Sequence, residues 1–479
     1  MEMYNHSKSY KIGLFVLNNT ATNLGLFLLG FYAFYGQNLL GLSAIIIGLI
    51  ATSMRIFDGI TDPIIGYFID KTDGKFGKFK PFILTGNIII LLSMIDIFNT
   101  PLYFSSLGKY IWTTSFYIIY IIGYTFQTAC TKGGQVVLTN DPKQRPLFSI
   151  FDTIYNTILF GGGTYLLMSV IAPRYESGLL NPELWRFVSL ITALASFVCT
   201  VLAIIGIWEK DRREFFGVDS EAAKKIKGKD YLDIIKNNKA IQMLVIAAST
   251  DKLASSTMRG VEIYLFANII LNQKLQGNFS ATTAIPITIV GVTGLYFARK
   301  SGLKKIFKFS TWGGLLSSVL LFFIGMKGNN INLFLGFMFV LKGFMAISTP
   351  IVIPMIADVT DYELHRSGRF VPGMMGTLFS FVDKMISSLA TTLVGFSLAY
   401  AGVGKSIIQP NVFVSEKFKI VMLVMYCLVP MLAFVASLIS MRYYKLDKNR
   451  MEEIQLELNL KKNELNDKDL YENDNLELV

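Results

Sequence analysis

Three ionisable residues in an otherwise apolar run set the chemistry open to this chain: Arg55, Asp58 and Asp62, within M-R-I-F-D-G-I-T-D-P-I-I-G. Asp58 and Asp62 are four residues apart, so on a helix they share one face, one turn apart. Arg55 lies three residues before Asp58 on that face. A carboxylate in hydrocarbon is costly, so acids at membrane depth usually face a water-filled cavity and take part in transport. A structural Arg–Asp lock between helices is the other role open to them. One guanidinium does not fully neutralise two carboxylates, which favours transport chemistry. The run ends in a basic, glycine-containing loop, D-K-T-D-G-K-F-G-K-F-K-P-F.

The elements that must position these groups are membrane helices. The chain has 479 residues, 52% of them hydrophobic and 16% charged, with a mean hydropathy of +0.47. Soluble domains carry about 25% charged residues. Apolar runs of about 20 residues recur from end to end, the length that spans a bilayer. They predict an all-α polytopic membrane protein with twelve spans, at roughly 11–35, 41–70, 81–104, 110–139, 146–172, 184–208, 239–270, 281–299, 308–327, 331–356, 371–401 and 417–442. The longer ones imply tilt or protrusion. The first run is too long for a signal peptide and lacks a small-residue cleavage site, so it is expected to stay as a span.

The polar stretch after residue 208 divides the chain. It predicts a six-helix half at 1–208, a linker at 209–238, a second half at 239–442 and a charged tail at 443–479. Y-L-D-I-I-K in the linker suggests a surface helix, and the Leu and Ile residues between Ile454 and Leu465 a short helix in the tail. Glycines 161–163 suggest close helix packing. Lys and Arg concentrate in alternate loops: Lys71, Lys75, Lys78 and Lys80; Lys143 and Arg145; the linker; Arg299 to Lys308; and Arg366 with Arg369. The opposite loops are poor in both, so both termini are expected in the cytoplasm of a plasma-membrane protein.

The composition excludes several function classes. The net charge of +11 belongs to loops between spans and does not point to nucleic acid. Cys130, Cys199 and Cys427 fall in apolar runs without metal or disulfide spacing. His6 and His365 leave little for histidine catalysis. Nothing resembles a P-loop or a catalytic triad, so neither an ATP-driven pump nor an enzyme is expected, and no cofactor beyond a coupling ion.

Further charges sit at membrane depth: Asp96, Lys132, Asp152, Asp251, Lys252, Arg259, Glu262, Lys342, Asp383 and Lys384. Arg259 and Glu262 have the i,i+3 spacing of a local pair. Lys132 and Asp152 each lie about ten residues from the turn joining their spans, so both sit about 15 Å from one surface. Equal depth on antiparallel neighbours lets them pair, as a structural bond or as part of a substrate cavity. Lys384 and Asp58 are each about a dozen residues from the same surface, and a cation there could hold or release the paired acids.

These residues bring out a resemblance. R-I-F-D-G-I-T-D-P-I-I-G with D-K-T-D-G-K-F-G-K-F-K-P-F resembles the glycoside–pentoside–hexuronide:cation symporters, the melibiose permease-like group of the major facilitator superfamily. Y-T-F at Tyr124–Phe126, D-P-K-Q-R at Asp141–Arg145, A-D-V-T-D-Y at Ala357–Tyr362 and S-F-V-D-K at Ser380–Lys384 are similar as well. The resemblance implies the major facilitator fold, two six-helix bundles around a midplane cavity, and cation-coupled sugar uptake by alternating access. It also implies that Asp58 and Asp62 bind the coupling ion, Na⁺ or H⁺, with Thr125 beside them. Arg55 and Lys384 take the places of the family's helix-two arginine and helix-eleven lysine.

The chain departs from that pattern in the sugar-binding set. Asn18 stands where the melibiose type has an acid, Thr128 where it has another, Lys132 where it has a tryptophan, and Asp152 or Thr153 where it has an arginine. Helix four has lost an acid and gained a base, and helix five the reverse. The expected substrate cavity is therefore Asn18, Thr128, Lys132 and Asp152, with melibiose-like recognition altered. A hard cation seeks several oxygen ligands, and two close acids can also share a proton, so Na⁺ and H⁺ both stand. The expected activity is symport of a sugar or glycoside by a monomer. A non-sugar solute, anionic if drawn by Lys132, and an uncoupled facilitator or sensor are the alternatives.

Overall fold

The computed structural model describes residues 6–72, 76–139, 144–212, 236–328, 330–367, 372–403, 408–458 and 460. Within hydrocarbon each backbone N–H and C=O must be satisfied inside its own segment, and these sequences meet that demand as helices. The first half contains α1 (Ser9–Leu29, continued by Tyr32–Asn38), α2 (Ala44–Lys71) and α3 (Lys80–Phe98). It goes on with α4 (Ser106–Leu138), α5 (Arg145–Thr157, continued by π-helical turns to Ile171) and α6 (Pro182–Ile207). The second half contains α7 (Lys239–Tyr264, with a π-helical turn Leu265–Ile269), α8 (Gln273–Ser301) and α9 (Leu303–Lys327). It closes with α10 (Ile331–Ser367), α11 (Pro372–Tyr400) and α12 (Glu416–Leu423, continued to Tyr443).

Among the described residues, nine helical segments are long and apolar enough to cross a membrane by length and composition. The other three long helices are α4, α7 and α11. They carry Thr125, Asp251 and Lys384 respectively, among other polar groups.

Within the first half α1 packs on α6 and α5, α3 on α4 and α6, and α2 on α4. Within the second, α7 packs on α12, α11 and α10, and α10 on α8 and α9. Among the described residues the main seams between the halves are α2 against α11, and α5 against α8. Small residues make both seams close. A Cβ on Gly395 would lie 2.4 Å from the Ala44 carbonyl oxygen, and one on Gly48 2.9 Å from that of Thr391. A Cβ on Gly161 would lie 2.7 Å from that of Ala284. The close packing expected of glycines 161–163 thus holds at Gly161 and at Gly163, which faces Phe27, while Gly162 meets nothing within 4 Å.

Helix ends differ from the sequence expectation where polar contacts extend a helix past its apolar run. The tenth helix was expected to end near residue 356 but runs to Ser367. Its extra turns carry Glu363, which is fully buried and accepts from Asn238 Nδ2 at 2.7 Å and Arg366 at 2.9 Å. The first span is interrupted between Leu29 and Tyr32. The tail forms a helix over 448–458 that buries Met451 and Ile454 and bonds α10 through Gln455 to Asp361 at 2.7 Å. Leu465 and the Y-L-D-I-I-K stretch up to Ile235 lie outside the described residues.

Asp211, just past α6, organises the basic loop before α3. Its carboxylate accepts the backbone N–H groups of Lys78 at 2.8 Å, Phe79 at 3.1 Å and Lys80 at 2.9 Å. Gly77 has φ +94°, and a Cβ there would lie 2.2 Å from Asp211 Oδ2. Helix N-termini present unsatisfied N–H groups and positive partial charge, so this anion is well placed. Asp211→Ala is expected to cost roughly 3 kcal/mol, the scale of orphaning several N–H groups held by a charge. A thermal melt in detergent unchanged from wild type would contradict this assignment.

Candidate ion and solute site

The acids of α2 meet α11 in the middle of the molecule. Asp58 is fully buried. Lys384 Nζ lies 2.5 Å from Asp62 Oδ2 and 3.0 Å from Asp58 Oδ2. The second contact is an ion pair without hydrogen-bond alignment, for Asp58 Oδ2 has no hydrogen-bond partner among the described atoms. Arg55 stands 3.7 Å from the same oxygen. Helical spacing explains the set, because residues 55, 58 and 62 recur on one face of α2.

Hydroxyl oxygens complete the cluster. Thr125 Oγ1 on α4 donates to Asp58 Oδ1 at 3.2 Å, and lies 3.1 Å from Thr61 Oγ1. Thr61 was not singled out from sequence, although it sits one position before Asp62. The structure thus brings together Arg55, Asp58, Asp62, Thr125 and Lys384 from three helices and both halves. Among the described residues no group of three His, Cys, Asp or Glu side chains forms a metal cluster. The oxygens here are two carboxylates plus hydroxyls, the donor type of a hard cation.

The expected substrate-cavity residues do not all gather on one surface. Asn18 is fully buried. Its Nδ2 donates to Gln127 O at 3.0 Å and Thr131 Oγ1 at 2.7 Å, and its Oδ1 accepts from Gln127 Nε2 at 3.0 Å. Gln127 also donates to Thr200 at 2.9 Å. Asn18 therefore lies in the packed core between α1, α4 and α6 in this structure. Thr128 is half-buried and returns its hydroxyl to Tyr124 O on its own helix at 2.9 Å. The side chain of Lys132 lies outside the described residues.

Asp152 heads a polar ladder that the sequence reading missed. Its Oδ1 accepts from Asn19 Nδ2 at 2.6 Å and its Oδ2 from Asn156 Nδ2 at 2.9 Å. Asn156 Oδ1 accepts from Asn23 Nδ2 at 2.7 Å. All four residues are half-buried. The signal was present as Asn19 with Asn23 on α1 and Asp152 with Asn156 on α5, each at i,i+4 and so on one helix face. Arg259 and Glu262 do not form the expected local pair. Glu262 is buried and bonds Lys342 of α10 at 2.7 Å, while exposed Arg259 donates to Ser256 at 3.0 Å.

Among the described residues, several hydrogen bonds join the halves. Thr52 Oγ1 bonds Ser388 O at 2.8 Å, and Gln37 Nε2 bonds Val403 O at 2.7 Å. Asn38 Oδ1 accepts from Ile408 N at 2.7 Å, Thr157 meets Thr288 at 2.9 Å, and Ser169 donates to Lys274 O at 2.9 Å. Counted along the helices, these lie between mid-depth and the α1–α2 loop.

Comparison with known proteins agrees with this architecture. The family described as MFS/sugar transport protein matches residues 10–448. The chain is 26% identical to the inner membrane symporter YicJ of Escherichia coli (strain K12), over 91% of this chain and 90% of that protein. It is 21% identical to the glucuronide carrier protein homolog of the same strain, over 93% and 94%. It is 23% identical to the lactose permease of Leuconostoc lactis, over 78% of this chain and 58% of that longer protein. Among solved structures it is similar in fold to a D-xylose-proton symporter, with a TM-score of 0.63 and 12% identity over 90% of this chain and 96% of the other.

Proposed function

Because the chain belongs to the MFS/sugar transport protein family, we propose that it is a monomeric, cation-coupled symporter of a sugar or glycoside. It works by alternating access in the plasma membrane, with both termini cytoplasmic. The observation that carries this reading is Lys384, one ammonium from the second half held by both acids of the first. Na⁺ or H⁺ would compete with that ammonium for the same oxygens. Asp58, Asp62, Thr125 and Thr61 offer Na⁺ a set of hard donors, and the unaligned Oδ2 of Asp58 is ready to take part. Ion binding would release Lys384 from α2 and so change the strength of the α2–α11 seam. Solute binding coupled to the same rearrangement gains and gives affinity reciprocally.

The Asn19–Asp152–Asn156–Asn23 ladder supports a polyhydroxylated solute. It offers amide donors and carboxylate acceptors side by side, the mixture that hydroxyl groups use. The Asp152 carboxylate on this surface disfavours the anionic-solute alternative. Asn19→Leu and Asn156→Leu are expected to weaken solute binding about tenfold or more, the scale of one or two hydrogen bonds. Calorimetric titration checks this, and unaltered affinity in both variants would remove the ladder from the solute site.

A thermal-stability screen of purified protein against sugars, glycosides and glycuronides tests the proposed substrate class. A ligand at 100 times its dissociation constant stabilises by about 2.7 kcal/mol. At least one sugar or glycoside is expected to raise the melting temperature. Stabilisation confined to non-sugar solutes would overturn the reading.

A further inference from the structure

Another buried carboxyl, Asp251, lies in the second half and has no part in the site above. It is the thirteenth residue of α7, about 18 Å along that helix at 1.5 Å per residue. This is the depth at which Asp58 and Lys384 sit in their own helices. Asp251 is 6% exposed and Ser348 of α10 is 2% exposed. Ser348 Oγ lies 3.2 Å from both carboxylate oxygens of Asp251 and 3.1 Å from the Met345 carbonyl.

Other charges on the packed helices are paired or lie farther along. On α7 itself Lys252 is next in sequence and acts on Asp251 as a neighbouring charge without a hydrogen bond between them, while Glu262 is taken by Lys342 of α10. On α11, Lys384 is taken by Asp58 and Asp62, and Asp383 is its neighbour in sequence. On α10, Asp358, Asp361, Glu363, His365 and Arg366 are ten or more residues beyond Ser348. α12 has no charged residue between Lys419 and Arg442. An ionised Asp251 would therefore rest on one hydroxyl and the neighbouring charge of Lys252, and a desolvated charge with so little support is unfavourable. The neutral acid solves the hydrogen bonding: Asp251 donates its O–H to Ser348 Oγ, and Ser348 donates its own O–H to Met345 O. Each hydroxyl hydrogen then has an acceptor.

We propose that Asp251 is a proton-binding site of the second half, separate from the α2–α11 cluster and filled in the conformation seen here. The step is simple: the carboxylate takes one proton from the aqueous phase when α7 and α10 are accessible to it, and returns that proton to water in the reverse step. A metal ion is not its ligand, because one carboxyl and one hydroxyl fall well short of the six or so oxygens that a hard cation takes. This site does not depend on the symport reading.

Infrared spectroscopy of the purified, full-length protein at neutral pH tests it without any transport assay. The wild type is expected to show a carboxylic-acid C=O band that Asp251→Asn loses and Asp58→Asn keeps. A spectrum in which Asp251→Asn retains the whole band overturns the proposal. Ser348→Ala guards against misfolding of the first variant. Loss of the acceptor is expected to shift the Asp251 band to higher frequency, and an unshifted band overturns the proposal equally.

Discussion

Asp58→Asn is expected to abolish uphill accumulation of solute while leaving a folded protein in the membrane. The amide keeps the shape of the carboxyl and its bond with Thr125, but it removes the buried charge that a coupling ion would neutralise. Coupling free energies of a few kcal/mol correspond to as much as about 150-fold in affinity. Loss of the buried acid is expected to reduce cation-dependent accumulation by roughly 100-fold. Downhill exchange should survive better than accumulation, because exchange does not require the ion to drive net movement. Accumulation at the wild-type level would remove Asp58 from the coupling site.

Lys384→Met has the second large effect. It leaves two carboxylates of α2 facing each other without their shared ammonium. Breaking a buried pair costs on the order of 3–5 kcal/mol. The loss centres on Asp58, which is fully buried, since the Asp62 side chain is 38% exposed and partly screened. Rescue is expected from a cation that takes the place of the ammonium. Sodium should restore stability if Na⁺ is the coupling ion, since the competing ammonium is gone. Thermal melts of the variant with and without sodium read the effect. A variant as stable as wild type at neutral pH without sodium would mean that the ion pair carries little energy.

The features legible in the sequence were those with a periodic or compositional signature. Twelve apolar runs gave the helices, and the 55–58–62 spacing placed three charges on one face of α2. Lys384 was found because its depth along α11 equals that of Asp58 along α2. The misses have a common cause: helix rotation. Asn18 and Asn19 are adjacent, yet one enters the bundle core and the other turns to Asp152. A one-residue step on a helix is 100°, and no composition signal sets that phase. Glu262 likewise faces α10 rather than Arg259, because a tertiary partner outweighs an i,i+3 neighbour. Asp211 was hidden for a different reason. Its partners are backbone N–H groups more than 130 residues away, and backbone donors carry no sequence label.

The central claim is that ion binding at Asp58 and Asp62 drives solute movement. Uptake of a stabilising sugar into proteoliposomes, with and without an imposed Na⁺ or H⁺ gradient, tests it most directly. The account predicts accumulation above the external concentration under one of the two gradients, lost in Asp58→Asn. Equilibration to the external concentration under both gradients, the same in wild type and variant, would contradict it and leave an uncoupled facilitator.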